Sequence, residues 1–94
     1  MSKLVTINEE TLKTPAGSKV LAILKKYATD YCEDYNKDLD YLLKSVGYIF
    51  TEMKNKPERR TPSAFADAFF MKTDLILREE LAEDFLALFN EIYH

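Results

Sequence analysis

Residues 38–54 read DLDYLLKSVGYIFTEMK, with apolar side chains at Leu39, Leu42, Val46, Ile49 and Met53. Steps of three and four place those side chains on one face of an α-helix, where a strand would instead alternate. A helix is therefore expected over 38–54. Toward the amino terminus, Val20, Leu21, Leu24, Ala28, Tyr31 and Tyr35 keep the same spacing and predict a helix over 15–35. Thr14 and Pro15 supply its start, because a Thr hydroxyl caps free amides and Pro fits the first helical position. The interruption between these two helices is assigned to Asn36, Lys37 and Asp38. A single unbroken helix is the alternative, since neither Gly nor Pro stands between Tyr31 and Leu39. Two helices are preferred because about 40 residues would be long for a globular helix.

Toward the carboxyl terminus, Asn55 to Arg60 is polar and contains Pro57, which reads as a loop. Thr61 and Pro62 repeat the opening signal, and a short third helix is expected over 62–72 with Phe65, Ala66, Phe69 and Phe70 as its apolar face. Lys72, Thr73 and Asp74 form a weak break. Leu81, Phe85, Leu88 and Ile92 then give a clear stripe, and a fourth helix is expected over 75–93. Residues 1–13 begin with the β-prone Leu4, Val5, Thr6 and Ile7, and read as an extended arm ending in at most one helical turn. The stripes after the two Thr-Pro pairs differ in length and residue type, so no internal repeat is read. Four amphipathic helices bury their oily faces most simply around one core. The expected fold is an all-α four-helix bundle, three helices long and one short, with an extended N-terminal arm and a single domain over 1–94.

The chain is 47% hydrophobic and 31% charged with two Gly and three Pro, a balance that fits a compact fold rather than a disordered one. Its net charge of -3 repels phosphate and anionic lipid, so binding either would need a local basic patch. Cys32 is the only cysteine, which excludes an internal disulfide and points to a reducing, cytoplasmic setting. No run approaches about 18 consecutive apolar residues. Met1 to Glu10 lacks the basic start and apolar centre of a secretory leader. Neither membrane insertion nor secretion is expected.

Candidate chemistry is sparse. The one histidine, His94, ends the given sequence and is poorly placed as a base for Cys32 or any Ser. One Cys and one His cannot make a structural zinc site. Asp30, Glu33, Asp34, Asp38 and Asp40 form an acidic run without the Gly of a calcium loop, and read as a solvated face. Gly17 and Gly47 lie outside any phosphate-cradling pattern. No catalytic residue, cofactor or metal is assigned.

Two surface features remain. Tyr27, Tyr31 and Tyr35 recur every four residues, and Tyr41 and Tyr48 stand one heptad apart. Such a row serves either as a core rim or as a protein-docking surface. Lys54, Lys56, Arg59 and Arg60 make a basic loop in an acidic chain. The sign of the charge alternates by segment, so this loop either helps neighbouring helices attract one another or binds an anion. Phe65, Phe69, Phe70 and Met71 make the most apolar stretch, which is either central core or a sticky patch, with core preferred because so many exposed aromatics would promote aggregation.

The expected function is a cytoplasmic protein-binding module acting as a stoichiometric regulator or inhibitor. Immunity proteins, antitoxins and phage or mobile-element proteins are the type, by analogy of size and class. The partner is another protein, with a homodimer as a variant. The alternative is a nucleic-acid-associated factor docking through the basic loop 54–60. An enzyme working through Asp67 or Glu52 ranks last, because helical acids facing water have ordinary chemistry.

Overall fold

Two Thr-Pro pairs open two of the four helices. In the computed structural model, which describes residues 7–31 and 33–93, the amide of Gly17 donates to the Thr14 hydroxyl at 3.0 Å, and that of Ala64 to the Thr61 hydroxyl at 3.2 Å. The helices are α1 (Pro15–Tyr31), α2 (Tyr35–Asn55), α3 (Pro62–Thr73) and α4 (Glu79–Tyr93), with a single 3-10 turn at Pro57–Arg59, and no strand among the described residues. Residues 1–6 of the expected arm, Cys32 and His94 lie outside the described residues. Each helix packs on its neighbours in sequence and α1 closes against α4, so the four form a ring around one core. The all-α bundle expected from the stripes is the fold observed.

Three boundaries differ from expectation. The break between α1 and α2 falls around Asp34, not at Asn36 to Asp38, so α1 stops at Tyr31 and α2 begins at Tyr35. Asp34 is extended, and its carboxylate accepts from the Lys37 amide at 3.2 Å while its own amide donates to Asp38 Oδ2 at 3.1 Å. This reciprocal cap satisfies two amides that a continuous helix would have used internally. Much of the acidic run is thereby local: Asp34 and Asp38 cap α2, while Asp30 pairs with Lys26 and Asp40 with Lys44.

The fourth helix starts at Glu79 rather than at residue 75. Asp74 takes a left-handed conformation (φ 62°) with its amide donating to Phe70 O at 2.8 Å, which ends α3 and turns the chain away. Residues 75–78 then run as an irregular link, pinned where the Tyr27 hydroxyl donates to Ile76 O at 2.7 Å and Leu77 is buried. The described part of the expected arm, from residue 7, carries the turn allowed at its end. Asn8 and Thr11 exchange side-chain and backbone hydrogen bonds, folding a turn that buries Ile7 and Leu12 in the core.

Aromatic rings fill the centre. Phe65 from α3 meets Phe85 from α4 at 4.8 Å between centroids, and Phe50 from α2 meets Phe89 at 5.5 Å. Val20, Leu24, Val46, Ile49 and Met53 complete the packing. Each such burial contributes about 1.5–3 kcal/mol.

Gly17 is where the amino-terminal turn touches α1. A Cβ built there would stand 2.7 Å from Leu12 Cα and Leu12 O, both backbone atoms that cannot swing aside. Gly17→Ala, ordinarily favourable in a helix, should therefore lower stability by about 1–3 kcal/mol. Urea unfolding measures it, and a gain in stability would contradict the close approach.

Candidate functional site

The tyrosine row divides by what each ring meets. Tyr27 is buried, edge-on to Phe69 at 6.1 Å, with its hydroxyl given to the link at Ile76. It is therefore a support within the fold and leaves the set of surface candidates. Burial pushes its pKa up, with the neighbouring Tyr31 adding and Arg78 opposing, so the hydroxyl stays a donor at neutral pH. Tyr31, Tyr35, Tyr41 and Tyr48 are exposed. The Tyr41 hydroxyl donates to Lys72 O, and the Lys72 ammonium stands 5.3 Å from the Tyr48 ring centre. Two tyrosines of α2 thus grip the end of α3.

The apolar stretch of α3 also divides. Phe65 and Phe69 are fully buried, as expected of core. Phe70 and Met71 are not: they are 44% and 82% exposed, and Ile76 in the link is 77% exposed. The preferred core reading therefore holds for Phe65 and Phe69, and the alternative of an exposed patch holds for Phe70 and Met71. The signal of that patch was present in Phe69, Phe70 and Met71, three consecutive apolar residues that a helix must point in three directions.

These side chains form one continuous face. A cleft of about 260 Å³ is lined by Tyr27, Tyr31, Asp74, Leu75 and Ile76. Ile76 joins it to a cleft of about 500 Å³ that includes Ala66, Asp67, Phe70 and Met71. Met71 and Asp67 join that in turn to a groove of about 420 Å³ between α2 and α3, floored by Ile49, Met53 and Ala68 and rimmed by Glu52, Arg59 and Lys72. Scattered exposed apolar residues are ordinary on a surface, but a contiguous patch marks a place of association.

All four residues of the basic loop are exposed, and three of them also make contacts within the molecule. Arg60 donates from Nε to Met53 O at 2.8 Å and from Nη2 to Lys54 O at 2.9 Å, capping the last carbonyls of α2, and its guanidinium lies 5.3 Å from the Phe89 ring centre. Arg59 pairs with Glu52, whose other oxygen lies 3.4 Å from the Lys72 ammonium. Lys54 stands 5.2 Å from the ring centre of Tyr93, a hydroxyl whose pKa burial raises. Lys56 is exposed.

Glu52 and Asp67, the two carboxylates considered for chemistry, both line the α2/α3 groove. Glu52 is paired with two cations, Arg59 and Lys72. Among the described residues no group of three or more His, Cys, Asp or Glu is placed to hold a metal ion, and no helix is long and apolar enough to cross a membrane. No protein-family model, curated protein or solved structure matches this chain.

Arg60 and Lys56 separate structural from anion-binding roles. Arg60→Ala should cost about 1–2 kcal/mol by uncovering carbonyls of α2, while Lys56→Ala should stay within about 0.5 kcal/mol. Equal effects in denaturant titrations would contradict the capping role.

Proposed function

We propose that the chain is a protein-binding module that acts by stoichiometric association with another protein. The observation that carries this reading is the exposed apolar face of Phe70, Met71 and Ile76, with Tyr31 lining the cleft at Ile76 and Tyr41 and Tyr48 against the neighbouring Lys72. Phe and Met at the centre with Tyr at the margins is the composition of interface cores. Hydroxyl contacts from Tyr27 and Tyr41 hold the backbone beneath that face, so little ordering entropy would be lost on binding.

A regulator or inhibitor role in the cytoplasm belongs to the same proposal. It is supported by a fixed surface on a compact bundle and by a chain with a single cysteine. Immunity proteins, antitoxins and phage or mobile-element proteins remain the analogous types, on size and class alone. Self-association through the same face is the variant within this reading. Nucleic-acid docking through the basic loop is supported less, because Arg59 and Arg60, although exposed, already pair with Glu52 and with the last carbonyls of α2.

The test is capture with the tagged chain from its source cells, compared with a Met71→Ser/Ile76→Ser variant. Both side chains are exposed, so the variant should keep its helical circular dichroism and thermal midpoint. A bound protein lost with the variant, at one-to-one stoichiometry by sedimentation, is the expected result. Capture that survives the variant but disappears with nuclease, or with Lys56→Glu and Arg59→Glu, would contradict the reading.

A further inference from the structure

Phe70 and Met71 stand on α3 between two carboxylates. Asp67 lies within α3 and Asp74 is its left-handed C-cap, seven residues on and about 10 Å farther along the helix axis. Both are exposed, and neither forms an ion pair within the described residues. Asp67 lines the cleft that holds Phe70, Met71 and Ile76, while Asp74 lines the one shared by Tyr31 and Ile76. The apolar patch therefore has a carboxylate at each end.

Asp74 occupies a place that folding alone disfavours. Its φ of 62° is the left-handed region, where Gly or Asn ordinarily closes a helix. Its negative charge also sits at the carboxyl end of α3, where the helix dipole favours a cation. Two local costs on one residue beside an exposed apolar patch indicate a use outside the stability of the free chain. The nearby cations are directed elsewhere: Lys72 and Arg59 toward Glu52, and Arg78 to Glu80 at 3.2 Å.

From this charge pattern we propose that the occupant of the face is a protein segment whose apolar anchors are flanked on both sides by Lys or Arg. The anchors cover Phe70, Met71 and Ile76, and the flanking cations meet Asp67 and Asp74. This rests on the docking role proposed above and adds the chemistry of the partner.

A displayed library of random peptides, panned on the full chain, reads that chemistry directly. Apolar sequences with basic flanks should be recovered about fivefold or more over those with acidic flanks, since each exposed pair is worth a few-fold in affinity. The preference should invert on an Asp67→Lys/Asp74→Lys variant and fade on Asp67→Asn/Asp74→Asn, which serves if the lysine variant fails to fold. Asp74→Asn should also raise the thermal midpoint of the free chain by about 2–6 °C, as release from a disfavoured position requires. No enrichment, acidic flanks, a preference unchanged on both variants, or a lowered midpoint for Asp74→Asn would overturn the inference. Peptides without charge bias that are lost on Met71→Ser would overturn it while leaving the docking role intact. Peptides indifferent to Met71→Ser would overturn both.

Discussion

An α-helix rotates about 100° per residue, and a helix that is apolar all round cannot bury every side chain in a core that lies to one side. That constraint organises the molecule around α3. Packing against α2 and α4 takes in Phe65 and Phe69, four residues apart, and leaves Phe70 and Met71 turned outward. The same sequence that completes the core therefore builds a surface that water solvates poorly. Among the described residues no fifth helix covers it.

What makes this surface definite is a set of backbone contacts made by side chains. Tyr27 from α1 and Tyr41 from α2 each give a hydroxyl hydrogen to a carbonyl, at Ile76 and Lys72, on either side of the left-handed turn at Asp74. A link of irregular backbone would otherwise expose unpaired carbonyls and move freely. With both ends tied and Leu77 buried, Ile76 is displayed at a fixed position beside Met71. The basic residues do comparable local work. Arg60 closes the end of α2, and Arg59 with Lys72 neutralises Glu52 at the edge of the α2/α3 groove.

The periodic stripes and the two Thr-Pro pairs were legible because their signals are local: spacing fixes a helical face, and a hydroxyl three residues ahead of a free amide fixes a start. The break before α2 was displaced because Asp34 and Asp38 cap reciprocally with no Gly or Pro to announce it. The late start of α4 depends on Tyr27 reaching Ile76 across 49 positions of sequence, which no window along the chain contains. Tyr27 and Tyr31 differ in the same way. They share a helical edge, yet one is enclosed by Phe69 and the link while the other is 67% exposed. The outward face of α3 was readable in principle from Phe69, Phe70 and Met71, but only once burial had been allotted to one side.

The two described methionines report on the central claim in a single experiment, since Met53 is 1% exposed and Met71 is 82% exposed. Methyl resonances of the free chain, recorded with a soluble paramagnetic agent, should show strong relaxation enhancement at Met71 and little at Met53. Equal protection of the two methyl groups would mean that the outer side of α3 is covered in the free chain, and the account of an open apolar face would be wrong.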